Sequence, residues 1–241
     1  MVAAELRWSI LHGELQDGEL LPTQDDLCAR FKVGKVAVRE ALRILEDEGL
    51  ATVRRGNIGG ATVHSPTPGS ASRMLAMVME ARGVQVTELA AALQELEPLC
   101  ATMCATRVDR METVVPHLRK VLDESERALP DPVKFTHHSR EFHEVMAAGC
   151  GNEALLVVVG ALEAIWSPGA EGWARRAEQT DSYPDLASRR LALRAHHRIT
   201  TLIAEGKADA AARLVREHVT VTQRYSLGTD PDRLVTIEEF G

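Results

Sequence analysis

The sequence predicts a mainly α chain in two parts: a small three-helix unit closed by a two-stranded hairpin, then an all-helical bundle. Three observations carry this. Aromatic residues make up only 4% of the 241 residues while Ala and Leu are abundant, a balance that favours helices over sheets. The stretch SPTPGS at 65–70 places two prolines and a glycine between periodic segments, as a linker does. Everything after it has helical periodicity.

The elements follow in order. A first helix is expected over about Ala3 to His12, stopped by Gly13, and QDGELLP then forms a loop. Thr23 is a candidate N-cap, and Asp26 three residues later completes an approximate capping box. The second helix runs to about Phe31, KVGK makes a tight turn, and the third runs from about Val36 to a C-cap at Gly49. LATVRR and GATVH read as strands joined by the glycine-rich tip GNIGG. The boundaries are therefore 1–64 for the first domain, 65–70 for the linker and 71–228 for the helical domain. A loose tail is expected over 229–241. Within the second domain, helices are expected near 70–82, 87–107, 111–128, 132–148, 152–166, 185–205 and 208–226, punctuated by Gly149, Gly151, Pro168–Gly169, Pro184 and Gly206.

Composition excludes several classes. No apolar run approaches the roughly 20 residues that cross a bilayer. The N-terminus has no basic stretch leading into an apolar core, so the expected compartment is the cytoplasm. Cys28, Cys100, Cys104 and Cys150 form no CxxC pair. Cys100 and Cys104 lie one helical turn apart, but the small-residue stripe around them favours buried, free thiols.

Net charge is −7, yet residues 30–55 carry seven Lys and Arg against four acids. Such a local basic patch suits docking on phosphates. Two helices joined by a short turn, the second basic at its start, form a helix-turn-helix pattern whose second helix fits the DNA major groove. Lys35, Arg39 and Arg43 are four residues apart and share one face, while Val38, Ala41, Leu42 and Leu45 form the opposite, core-facing stripe. Thr23 and Val36, at the starts of the two helices, are further candidate DNA contacts. So are Arg54, Arg55 and Gly56 of the hairpin, where glycine lets the main chain approach closely.

The segment LLPTQDDLCARFKVGKVAVREALRILEDEGLATVRRGNIGGATV resembles the winged helix-turn-helix of the GntR family of bacterial regulators. The match lies at Leu21, Pro22, Thr23, Leu27, Val33, Val38, Arg39, Glu40, Ala41, Leu42, Leu45, Gly49 and Leu50. The C-terminal part resembles the all-α FCD effector domain of the FadR-type subfamily. The resemblance implies a homodimeric regulator, in the main a repressor, which binds a palindromic operator in double-stranded DNA and responds to a small-molecule effector. Three positions depart from the family pattern. Lys35 stands where arginine is usual, Gly34 replaces a Ser/Thr, and Asp25 falls where a DNA-contacting arginine is common. Arg39 is retained and is the best candidate for a bidentate guanine contact.

His196 and His218 lie at similar distances from the break at Gly206–Lys207. In an antiparallel helix pair they sit side by side and can both point into the bundle. His143, on an earlier helix, could complete a set of imidazoles suited to Zn or Ni. The resemblance assigns the same three histidines as metal ligands and places Ser139 at the usual aspartate position. It puts the effector pocket at Leu93, Glu97 and Ser139, with Leu93 where acid-sensing relatives often carry arginine; a less acidic, more hydrophobic effector is therefore expected. His138, Glu141 and His197 are expected to point elsewhere. Two rival readings stay open: a helical metal-dependent enzyme using the three histidines, and a regulator whose histidines hold no metal.

Overall fold

The computed structural model describes residues 1–53, 60–228 and 232–237. It divides into two compact units, Met1–Ser70 and Ala71–Gly241.

The first unit contains α1 (Val2–Leu11), α2 (Gln24–Phe31), α3 (Lys35–Asp47), β1 (Ala51–Val53) and β2 (Ala61–Val63). Thr23 caps α2 by accepting the Asp26 N–H at 3.2 Å, and its hydroxyl donates to the Asp26 carboxylate at 2.6 Å. The turn to α3 is made by Lys32 in the left-handed region, φ 54°. α3 ends just before Gly49, whose φ of 72° suits a residue without Cβ. The strands pair antiparallel, Ala51 with Val63 and Val53 with Ala61. The loop expected at residues 16–22 is more ordered than its polar sequence suggests. Leu20 bridges to Thr62, and backbone bonds Gly18–Val63 and Leu21–Ala61 (2.9 and 2.8 Å) add a third short strand-like edge. The core joins Leu6, Leu27, Val38, Leu45 and Val63.

The second unit comprises α4 (Pro68–Ala81), α5 (Val86–Thr106), α6 (Arg110–Thr113), α7 (Val115–Ala128), α8 (Pro132–Ala148), α9 (Glu153–Gln179), α10 (Leu186–Ala204) and α11 (Ala208–Leu227). Asp131, Asn152 and Asp185 cap α8, α9 and α10 through N–H···O bonds of 2.8–3.0 Å. α5 packs chiefly on α11, α8 on α7 and α9, and α10 on α11 and α7.

Three expectations need correction. The single helix expected over 111–128 is two helices broken at Val114, two residues before Pro116, which cannot donate a helical hydrogen bond. α9 does not stop near 166 but runs through Pro168 for 27 residues. An internal proline costs about 3 kcal/mol, and burial of Ile165, Trp166, Ala170 and Ala174 on either side offsets it. The longer helix also changes the reading of apolar runs. A window of α9 has mean hydropathy 1.4, enough by length and composition to cross a membrane. Glu163 lies inside this helix, fully buried against α8, so α9 reads as the core helix of the bundle.

The third correction concerns the tail. Residues 232–237 are not loose. Val86 N–H donates to Arg233 (2.8 Å), Val235 N–H donates to Val84 (3.0 Å), and the Ile237 N–H meets Glu80 at 2.7 Å. Val235 is 2% exposed. Replacing it with Asp would bury a carboxylate with no partner. Val235→Asp should therefore destabilise the chain by on the order of 2 kcal/mol, read as a melting temperature lowered by several degrees. An unchanged melting curve would show the tail to be dispensable.

Candidate nucleic-acid interface and effector site

α3 keeps its two stripes apart. Val38 and Leu45 are fully buried, while Lys35, Val36, Arg39 and Arg43 are exposed. Their ion pairs differ. Lys35 Nζ lies 2.7 Å from Asp25, and that carboxylate raises the lysine's pKa. Arg43 lies 3.5 Å from Glu40 and 3.9 Å from Asp47. Among the described residues no acidic partner meets Arg39. Ion pairs this exposed are weak and screened by salt, so a phosphate can displace them. Val36, 65% exposed at the start of α3, offers an apolar contact of the kind that meets a thymine methyl. Glu46 is occupied in fixing the hairpin base, accepting the Val53 N–H at 2.9 Å. Arg54, Arg55 and Gly56 lie outside the described residues.

The histidines meet inside the bundle. α8 supplies His143, α10 His196 and α11 His218; all three are buried, with one ring nitrogen of each within 4.8 Å of the others. His196 Nε2 and His218 Nε2 are 2.8 Å apart. His197 is exposed, and His138 turns away to Glu141 at 2.9 Å. Glu97, fully buried on α5, accepts a hydrogen bond from His143 Nδ1. That bond fixes the tautomer and leaves Nε2 as the free lone pair. Phe142 stacks on His196 with ring centres 4.2 Å apart.

The donor set fits a divalent ion. Metal–imidazole bonds of about 2.0–2.1 Å place neighbouring ligand nitrogens roughly 3 Å apart, close to the spacing of His196 and His218. Glu97 holds His143 as an outer carboxylate does. Ser139, half-buried beside the histidines, supplies no charge.

Sequence reasoning missed the charges around this cluster. Arg140, 8% exposed, meets Glu163 of α9 and lies 3.9 Å from Glu97. Its spacing from His143, three residues along α8, was the available signal for a shared face. Both Ser139 and Arg140 line an adjacent, partly open cavity whose other walls are largely apolar and aromatic, the kind of lining small-molecule sites have. Leu93 does not line this cavity; it is buried in the core. Arginines do reach the cavity, from α8 and α10 rather than α5, so Leu93 does not set its charge.

Burial sets the protonation of the cluster. It pushes His196 well below the ordinary imidazole value, helped by His218 and His143. It pushes His218 down to about 3, with His143 adding to the effect. Burial acts to raise the Glu97 pKa, but His143 and Arg140 outweigh it and hold the carboxyl below its usual range. The thiols respond the other way: burial lifts Cys100 far up and Cys104 to about 12, so both stay protonated.

The sequence comparisons agree with this architecture. Residues 1–61 match the model of the bacterial regulatory proteins of the gntR family, and residues 88–221 match the FCD domain. The chain belongs to the GntR family of bacterial regulators. Its helical unit is an FCD domain, and the family is one of regulators, which removes the enzyme reading of the histidine cluster. Similar relatives include the HTH-type transcriptional repressor NanR of Cronobacter sakazakii, 29% identical over 169 residues, covering 67% of this chain and 62% of NanR's length. The regulator Mce2R of Mycobacterium tuberculosis is 26% identical over 174 residues, 69% of each chain. Among solved structures, a Streptococcus agalactiae GntR protein superposes with a TM-score of 0.65 at 24% identity, covering 92% of this chain and 98% of that one; at that identity the likeness speaks for the fold.

The depressed imidazoles make stability depend on pH. Unfolded histidines take up protons below about pH 6.5, whereas folded His196 and His218 resist protonation until far lower pH. Stability is therefore retained above pH 6.5 and lost as the pH falls below it. In chelator-treated protein the slope should approach about 1.4 kcal/mol per pH unit for each imidazole. Urea unfolding between pH 7 and pH 5 measures it, and a flat profile would contradict the burial argument.

Proposed function

We propose that this GntR-family chain is a ligand-responsive transcriptional repressor. It binds a palindromic operator as a homodimer in the cytoplasm and releases it when a small molecule fills the FCD cavity. The single observation that carries the DNA-reading half is the exposed Arg39 on the outer face of α3, opposite the buried stripe and free of acidic partners among the described residues. A guanidinium so placed can make a bidentate contact to guanine, worth about 1–3 kcal/mol of discrimination. Two-fold symmetry of the dimer would double the contacts and impose the palindrome.

Binding of the full chain to DNA flanking its own coding region tests this reading. Arg39→Ala should weaken binding by about 5- to 150-fold and relax sequence preference. Asp25→Ala should act in the opposite sense. It frees Lys35 for a phosphate, so affinity should rise and the dependence on salt should steepen by about one released counterion. Equal affinity of all three proteins for the operator would reject this account of α3.

The FCD unit is further proposed to hold one Zn²⁺ or Ni²⁺ ion on His143, His196 and His218. Support comes from the three converging imidazoles, from Glu97 on His143 Nδ1, and from Glu97 and Glu163 carrying one more formal charge than Arg140 offsets. When bound, such an ion supplies a Lewis-acidic contact at the cavity edge. Metal analysis of the purified chain should find about one ion per chain. His196→Ala should abolish it, and Glu97→Gln should reduce affinity about 10- to 100-fold. Protein that takes up no Zn²⁺ or Ni²⁺, and whose melting temperature neither ion raises, would instead be a regulator with structural histidines.

A further inference from the structure

The cavity beside the histidines concentrates the chain's scarce aromatic residues. The whole sequence has three Trp, two Tyr and four Phe. Five of these line this one cavity: Phe135, Trp166, Trp173, Tyr183 and Tyr225. The FCD fold does not oblige the rings to gather here, because they come from separate elements: α8, α9, the α9–α10 connection and the last turns of α11. Trp173 lies 5.2 Å from Tyr183 and 6.4 Å from Tyr225, tilted by 36° and 32°. Tyr183 is pinned by its hydroxyl, 2.7 Å from Thr136, so its ring is a fixed wall. Trp166 and Trp173 are seven residues apart on α9 and share a face.

The polar groups of the same wall are donors lacking acceptors. Arg140 Nε, Arg189 Nε and Gln223 Nε2 are buried and have no hydrogen-bond partner among the described residues, and all three side chains line the cavity. Arg140 and Gln223 are 8% and 1% exposed. Gln223 already accepts from Gln94 through its Oε1 at 2.8 Å, which leaves its amide nitrogen for another partner. Buried donors call for acceptor atoms. Arg140 is already met by Glu163 and Glu97, but Arg189 has no carboxylate partner among the described residues, donating only to the Leu129 carbonyl at 2.5 Å, so it calls for a negative one. A cage of rings could also hold a quaternary ammonium ion. Here the arginines oppose it: the Arg189 guanidinium already lies 5.5 Å from the Tyr183 ring.

We propose that the cavity selects a planar aromatic carboxylic acid, its ring among Trp173, Tyr183 and Tyr225 and its carboxylate toward Arg189 and Gln223. The inference rests on the reading of this cavity as the effector site and adds the class of molecule it accepts. Flat rings stack on the tilted faces in a way that an aliphatic acid of equal area cannot.

Calorimetric and Trp-fluorescence titrations of the full chain, with benzoate, 2-naphthoate, cyclohexanecarboxylate, L-lactate and benzyl alcohol, test the proposal. The two ring acids should quench the fluorescence and bind at least about fivefold more tightly than cyclohexanecarboxylate or lactate. Benzyl alcohol, which has the ring but no charge, should be weaker than benzoate by about tenfold or more. Trp173→Leu, at a half-buried position, should remove the preference for a ring while acids still bind. Arg189→Met should weaken every acid and leave benzyl alcohol unaffected. These two variants avoid Arg140, whose loss would strand Glu163 in the core. Lactate or cyclohexanecarboxylate binding as tightly as the ring acids would overturn the aromatic selection and leave the cavity an acid-binding effector site. If no acid bound at all, the proposal and the effector reading of the cavity would fall together.

Discussion

A buried guanidinium is tolerable only where carboxylates meet it, and Arg140 imposes that requirement on the helical unit. Desolvating each ion costs several kcal/mol, and removing one partner of a buried pair typically costs about 3–5 kcal/mol. Glu163 of α9 and Glu97 of α5 answer this demand. Glu97 in turn receives His143, whose ring lies 5.5 Å from that of His218 and 5.2 Å from that of His196. One chain of charge and hydrogen bonding thus ties α5, α8 and α9 together and brings α10 and α11 to the same point. The arrangement stays incompletely satisfied: among the described residues Glu97 Oε1, Glu163 Oε1 and His196 Nδ1 have no hydrogen-bond partner. A core so polar is costly as a mere packing solution, and two of its members, Arg140 and His143, line the adjacent cavity.

The DNA-facing unit reverses this logic. Its cations sit in water, where pairing is weak and exchangeable. Lys35 and Asp25 have side chains 66% and 76% exposed, and Arg43 and its two acids are each more than 60% exposed. A surface meant to trade ion pairs for phosphates has to hold them loosely. Asp25 acts as a local counter-charge on Lys35. Stability of the unit comes from elsewhere, from the buried stripe of α3 packed against Leu6, Leu27 and Val63.

Local chemistry was legible in the sequence, and distant pairing was not. The N-cap at Thr23, the stop at Gly49 and the two faces of α3 follow from neighbours a few residues apart. The closeness of His196 and His218 followed from counting residues on either side of the Gly206 break. Arg140 with Glu163 is a contact across 23 residues between two helices, and no periodicity announces it. The same holds for the cavity wall, because Tyr183 reaches it from a connection and Tyr225 from the end of α11. Proline and glycine misled at 168–169, where burial on both sides outweighed the local penalty. The final segment misled because its polar composition hid one apolar residue, Val235, that finds a core slot.

That segment also joins the cavity to the start of the unit. Tyr225 and Ser226 line the cavity from the last turn of α11. The chain beyond them returns at residues 232–237 to pair with Val84–Val86 and to meet Glu80 on α4. α4 begins at Pro68, beside the boundary between the two units. Trp166 faces the aromatic cavity and also touches the small space closed by Arg233 and Val235. Trp166 is thus the one side chain that lines both spaces among the described residues. The free energy such a connection can transmit is bounded by the difference between the molecule's affinities for two arrangements of these residues. Tight binding alone shifts nothing. Effector action would thus require a difference in affinity between two arrangements, whichever contacts supply it.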